Sequence, residues 1–225
     1  ARIFEAKERP YFNPLIVHFS KVENVKKEVC WNDWAEVLSD AFWPGAITLV
    51  LPKKDNCKLS KLISPESDNV AIRIPENEIA LELIKRSGYP IAAPSANKSG
   101  KISPTTAAHV LKSLSGKIPY ILEGGPCNIG VESTVIDLTK DIPCILRPGG
   151  ITHEQVESII GRTSEQAKAT KFLSPGMLHR HYAPDTAIRM NAVQFDDKEN
   201  IIGFGPNAPD TAYNLSQSEN LIEAA

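Results

Sequence analysis

Apolar residues along the chain fall into two patterns, compact runs of strand length and spaced sets of helical period, and the two alternate. Residues 15–19, 47–51 and 70–74 are apolar runs, the first entered from Pro14. Trp34, Val37, Leu38 and Ala41 stand at i, i+3, i+4 and i+7, which predicts an amphipathic helix that Pro44-Gly45 stops. Residues 77–87 predict another helix with Gly88 as its C-terminal stop, and a short strand follows at 91–93. Ser103-Pro104 has the cap-then-proline order of a helix start leading to Leu114. Three more strands are predicted at 120–122, 134–138 and 144–146. Thr152 and Gln155 have capping-box spacing for a helix ending near Gly161. Turns and prolines are too frequent for simple βαβ winding. The fold class is therefore α/β, a mixed, twisted sheet with helices packed on it.

Patterning weakens beyond that unit. Residues 163–170 are polar, and 174–184 contain two prolines and a glycine, as a defined loop would. The expected division is a first domain over 1–162, a linker over 163–185 and a second domain starting over 186–225. Residues 200–204 are the clearest strand of that second domain, and Gly203 to Pro206 its first turn. The sequence opens inside a helical pattern without an initiator Met and closes on one just beginning, so both ends read as interrupted.

Composition narrows the function. A net charge of −2 argues against a protein that binds nucleic acid by bulk electrostatics, so any RNA contact is expected to be local. No apolar run is long enough to span a bilayer, and there is no signal-peptide pattern. Cys30, Cys57, Cys127 and Cys144 form no CxxC pair and no zinc spacing, and read as buried free thiols of a reducing, cytoplasmic compartment. No metal-ligand cluster and no hydrolase triad order stands out.

Several polar residues interrupt or follow the apolar runs. Arg9-Pro10 biases its segment toward extended backbone, where Lys7 and Arg9 would point the same way. Two adjacent cations suit a polyphosphate, or else a solvated basic edge. Ser95 and Asn97 follow a strand, where ligands bind in α/β sheets but where turns are also made. Arg73 and Arg147 sit in otherwise apolar strands and need an anionic partner, whether protein or ligand. The lone His18, after a strand, reads by itself as a satisfied core histidine. The glycines of 124–130 let backbone approach a ligand, but form neither a Walker loop nor a dinucleotide fingerprint. Together these residues suit an anionic small molecule and name no reaction.

The ordered set KxRP (Lys7, Arg9, Pro10), NPLxxH (Asn13 to His18), AIRIP (Ala71 to Pro75), PSAN (Pro94 to Asn97), SPTTA (Ser103 to Ala107), ESTV (Glu132 to Val135) and LRPG (Leu146 to Gly149) resembles the YrdC-type threonylcarbamoyl-AMP synthases. Ser174 to Met177 and His181 to Pro184 resemble the SPGM and HYAP linker of the longer, two-domain members. The resemblance implies a YrdC-like open sheet around a basic cavity and a smaller C-terminal Rossmann-like α/β domain. It implies nucleotidyl transfer from ATP, with L-threonine and bicarbonate as co-substrates and Mg²⁺ accompanying ATP. A downstream tRNA threonylcarbamoyl transferase complex would take the product.

The resemblance also implies roles for individual residues. Lys7 and Arg9 would be catalytic. Arg9, Asn13, Asn69, Asn97, Thr105, Arg147, His181 and Tyr182 would bind ATP, and His18, Arg73, Ser95 and Ser133 would bind threonine. In the family, an upstream strand and turn whose Thr and Tyr contact threonine comes before the KxRP motif, and this sequence begins just ahead of that motif. Glu8 stands where the family has a small residue, often glycine, and is expected to change only a surface. Two other classes remain open: an RNA-binding module, and a carbamoyl-adenylate domain of the hydrogenase-maturation type, whose zinc-finger CxxC modules have no counterpart in this sequence.

Overall fold

A computed structural model describes residues 2–65, 67–163, 186–196, 198–209 and 213–224. The first unit is built on a six-stranded sheet. Its strands are β1 (Ile16–His18), β2 (Ile47–Pro52), β3 (Asn69–Arg73), β4 (Ile91–Ala92), β5 (Thr134–Asp137) and β6 (Cys144–Arg147). Their spatial order is β4-β1-β3-β2-β5-β6. β1 runs parallel to β3 and β2 parallel to β5, while β2–β3, β1–β4 and β5–β6 are antiparallel, so the sheet is mixed as the sequence predicts.

The central strands read as unbroken apolar runs because both faces of the sheet are covered. Side chains alternate between the faces. Val17, Leu49, Leu51, Ile72 and Ile136 join the larger core, with Val25 of α2 (Val22–Glu28), Leu38 of α3 (Asp33–Phe42), and Val156 and Ile160 of α6 (His153–Ile160). Ile16, Val50, Ala71, Val135 and Leu146 form a smaller cluster on the other face. Two further helices, α4 (Glu78–Ser87) and α5 (Ala107–Leu114), follow β3 and β4 in the chain, and α1 (Arg2–Lys7) precedes β1.

The predicted helix ends of α4 and α6 hold. Asn77 accepts from the Ala80 amide, Gly88 takes the left-handed conformation at φ 72°, and Thr152 and Gln155 close a reciprocal capping box. Other expectations need correction. Helix α5 is capped by Thr106 and not by Ser103. Residues 120–122 form no strand, and Tyr120 is 88% exposed. In α3 the inward residues are Ala35, Leu38 and Ser39, with Val37 and Ala41 outside. Of the cysteines only Cys144 is buried; Cys57 is half-buried, and Cys30 and Cys127 are exposed.

The Lys7-Glu8-Arg9 segment is not extended. Lys7 is the last residue of α1, and Glu8 turns the chain at φ 52°. The Arg9 amide then donates back to the Phe4 carbonyl at 2.9 Å. Left-handed backbone favours glycine, the residue the resemblance implies at this position. Glu8 instead bridges Lys98 and Lys117, at 2.6 and 2.7 Å, tying this turn to the PSAN loop and to the segment after α5. Its role is therefore more than a change of surface.

Within the last described segments, β7 (Ile202–Gly203) pairs in parallel with β8 (Tyr213–Asn214), and a short α7 (Leu221–Ala224) follows. Gly205 turns the chain after β7 at φ 87°, where the sequence predicts a turn. No helix among the described residues is long and apolar enough to cross a membrane.

Candidate active site

The pairings place the ends of β1, β3 and β6 and the starts of β2 and β5 along one edge of the sheet. A cleft of about 810 Å³ opens there, lined among others by Arg73, Ser95, Thr105, Glu132 and Ser133. Its outer wall is the glycine-rich loop, held by the Asn77 carboxamide donating to the Gly124 carbonyl at 3.3 Å and by the Cys127 amide donating to the Thr105 carbonyl at 2.9 Å.

Arg73 ends β3 beside His18 of β1. Its Nε donates to the Gly45 carbonyl at 2.8 Å, and its terminal nitrogens make no hydrogen bond to the described residues. Burial pulls its pKa down, opposed chiefly by the charge of Glu132. The fixed Nε and open outer edge suit a carboxylate or phosphate arriving from the cleft.

Ser133 is buried at the entry to β5. Its hydroxyl lies 2.8 Å from the Thr48 hydroxyl and accepts from Arg147 at 3.0 Å, while its carbonyl accepts from the same guanidinium at 2.8 Å. Arg147 thus stands behind Ser133 and outside the cleft lining, with Glu132 3.7 Å away. The LRPG turn makes this arrangement possible. A side chain at Gly149 would put its Cβ 2.3 Å from the Glu132 carbonyl oxygen and 2.5 Å from the Thr134 nitrogen.

Lys7 and Arg9 lie behind this surface, both buried. The Lys7 ammonium donates to the carbonyls of Ser95 and Asn97. Burial lowers its pKa to about 8, with Arg9 adding to the effect, so it stays mostly cationic at neutral pH. Arg9 donates to the Pro14 carbonyl at 2.7 Å, and burial lowers its pKa to about 10. Asn97 is buried, and its carboxamide donates to the Lys98 and Lys101 carbonyls at 3.0 and 2.7 Å, shaping the PSAN loop from within. Asn13 is buried in the turn after Arg9. Thr105 lies on the cleft wall, its hydroxyl 3.3 Å from the His109 ring.

Asn69 does not join the cleft lining. It pairs with Pro52 at the start of β3, roughly 13 Å along the strand from Arg73. His181 and Tyr182 lie outside the described residues. Two participants do not stand out in the sequence. Glu132 is the carboxylate whose charge reaches Lys7, Arg9 and Arg73 alike, and Ser103 donates to it at 2.5 Å. The available signal is in the ESTV motif, a lone carboxylate beside a site otherwise rich in cations.

Burial pushes the His18 ring down to about 4, and Arg73 adds to the shift. The Ile91 and Ile16 backbone favours the charged ring slightly, yet no hydrogen bond of normal geometry reaches its Nδ1. The folded protein therefore excludes a proton that the unfolded chain binds below about pH 6.5. Stability from this group is complete above pH ~6.5 and falls as pH drops toward 4. The loss is at most on the order of 3 kcal/mol, because the residue keeps some exposure. As pH falls from 7 to 4.5, the urea midpoint of wild type should drop more than that of His18→Gln, which lacks the titrating ring.

Comparison with known proteins agrees with this architecture. The Sua5–YciO–YrdC family model, described as "Telomere recombination", matches residues 1–149, and that of the threonylcarbamoyl-AMP synthase C-terminal domain matches residues 151–222. The threonylcarbamoyl-AMP synthase of Pyrococcus abyssi is 49% identical over 200 residues, covering 83% of this chain and 56% of that protein. The Bacillus subtilis protein of that name is 50% identical over 190 residues, covering 81% and 54%. The crystal structure of P. abyssi Sua5 complexed with L-threonine superposes with a TM-score of 0.79 at 45% identity, over 91% of this chain and 58% of the other. The chain thus spans little more than half the length of the relatives it matches. With its mixed sheet, its strand-end cleft and the match over residues 1–149, the chain belongs to the Sua5–YciO–YrdC family.

Proposed function

We propose that the protein is an L-threonylcarbamoyladenylate synthase, a nucleotidyltransferase of the cytoplasm, with residues 1–162 as its catalytic unit. The observation carrying this proposal is the strand-end cleft in which Arg73 presents an open guanidinium edge beside Ser95, Ser133 and Glu132, with buried Lys7 and Arg9 behind. It is supported by relatives named threonylcarbamoyl-AMP synthase and by one bearing L-threonine.

In this reaction the amine of threonine adds to bicarbonate with loss of water, giving N-carboxythreonine. A carboxylate oxygen of that intermediate attacks the α-phosphorus of ATP, and the bond to pyrophosphate breaks. Such transfer needs chiefly positioning and charge stabilisation, which buried cations supply without reorganising. In the proposed site Arg73 takes the threonine carboxylate, Ser95 and Ser133 offer hydroxyls, and Lys7 and Arg9 lend positive charge to the phosphates. Asn97 acts by holding the loop that carries Ser95, and Asn13 is a proposed contact to the ATP phosphates. His181 and Tyr182 are proposed nucleotide contacts from the segment after residue 163.

A donor set of cations and hydroxyls suits phosphate oxygens better than a bare dication, and no metal-binding cluster of three or more His, Cys, Asp or Glu occurs among the described residues. Mg²⁺ would enter held by ATP oxygens and water, and would neutralise phosphate charge. The product is an activated acyl adenylate, which a tRNA threonylcarbamoyl transferase complex would consume.

The test is pyrophosphate release by the protein with Mg²⁺-ATP, L-threonine and bicarbonate, each omitted in turn. Release that requires all three is expected. Release indifferent to threonine, or none at all, would overturn the assignment.

A further inference from the structure

Glu132 is out of place in a site built for anions. A carboxylate there repels both a phosphate and the carboxylate of an amino acid, so its position needs its own account. Its charge eases the burial of Lys7, Arg9 and Arg73, but through space, since none of them bonds it among the described residues, and the geometry does not favour a counter-ion for Arg147 either. The Arg147 guanidinium is 3.7 Å from Glu132 Oε2, an ion pair longer than a hydrogen bond, and among its bonds are two at 2.8 and 3.0 Å to the Ser133 carbonyl and hydroxyl. The short bond to Glu132 comes from the neutral hydroxyl of Ser103, at 2.5 Å, which fixes the carboxylate without cancelling its charge. Two oxygens offer about four acceptor positions, so room remains for another donor. Ser103 also forgoes the helix-capping role that its sequence suggests, which Thr106 takes instead.

A zwitterion needs an anion as well as a cation from its site. Glu132 lines the same cleft as Arg73, Ser95 and Ser133, and immediately precedes Ser133 in the chain. We propose that Glu132 accepts hydrogen bonds from the α-amino nitrogen of the amino-acid substrate while Arg73 holds its carboxylate, so that the pair selects α-amino acids from other small carboxylates. This rests on the synthase assignment above. Glu132 serves as an acceptor and takes no proton. The substrate nitrogen keeps an N–H for it as ammonium, as amine and as carbamate.

Titration calorimetry with L-threonine and with 3-hydroxybutyrate, which is threonine without its amino group, tests this directly. Wild type should bind threonine at least tenfold more tightly than 3-hydroxybutyrate, the usual effect of a charged hydrogen-bond partner. Glu132→Gln should weaken threonine tenfold to a hundredfold and leave 3-hydroxybutyrate unchanged or tighter, erasing the preference. Ser103→Ala keeps the charge and frees its position, and should show a smaller loss confined to threonine, which covers the case of a poorly folded Glu132→Gln. If both ligands weaken equally in the variants, or neither changes, Glu132 is a structural counter-ion and the proposal falls while the synthase assignment stands. If wild type binds no threonine, the synthase assignment itself fails.

Discussion

Replacing Arg73 with alanine should lower kcat/KM for threonine by about a hundredfold or more while the protein remains folded. The guanidinium is held at one end by the Gly45 carbonyl and is open at the other, so a carboxylate can dock without rearrangement. Removing one preorganised donor of this kind typically costs about 3 kcal/mol, which is the hundredfold. Stability should suffer less. Burial already disfavours the charge, and water entering the enlarged cleft can satisfy the Gly45 carbonyl. Arg73→Lys should restore little, because an ammonium cannot bond Gly45 and grip a carboxylate with a planar fork. The measurement is pyrophosphate release against threonine concentration. Wild-type dependence on threonine in Arg73→Ala would remove this residue from the site.

Gly149→Ala should be strongly destabilising. The added carbon would lie 2.3 Å from the Glu132 carbonyl oxygen and 2.5 Å from the Ser133 carbonyl carbon and the Thr134 nitrogen. These are backbone atoms at the entry to β5, and they cannot rotate aside as a side chain could. Overpacking of this kind costs about 3 kcal/mol. For a chain of this size that lowers Tm by roughly 6–12 °C. Activity should fall further than stability, since the backbone that must shift carries Glu132 and Ser133, and a displacement of about 1 Å can cost about a hundredfold. Thermal unfolding and pyrophosphate release on the same sample would check both parts. A variant that melts and turns over like wild type would show that the LRPG turn tolerates a side chain.

What the sequence discloses follows from how local each feature is. Strands β2, β3 and β5 are legible because burial on both faces leaves an apolar run with little competing signal. The caps of α4 and α6 are legible because donor and acceptor lie three residues apart. Ser103 misleads because its hydroxyl serves Glu132, far along the chain, a demand no local pattern records. Lys7 and Arg9 group together for a reason strand alternation does not supply: a left-handed Glu8, fastened by Lys98 and Lys117, brings them side by side. Residues 120–122 have strand-like composition but pair with no strand among the described residues. Arg73 and Ser95 can be picked out as polar residues at apolar boundaries, and Thr105 and Ser133 only through the family motifs that contain them. Glu132 cannot, because its meaning lies in the cations around it, which arrive from distant stretches of chain.

The order of strands in the sheet also bears on how the protein is made. β2 lies between β3 and β5, and the pairing of Ile47 with Thr134 closes a long loop whose entropy must be met before the contact returns anything. A growing chain can pair β1, β2 and β3 early and so present Arg73. It cannot present Glu132 or Ser133 in place until β5 has emerged and the Gly149 turn has locked it. The wall that carries Glu132 and Ser133 is therefore the last part of the cleft to be built during synthesis.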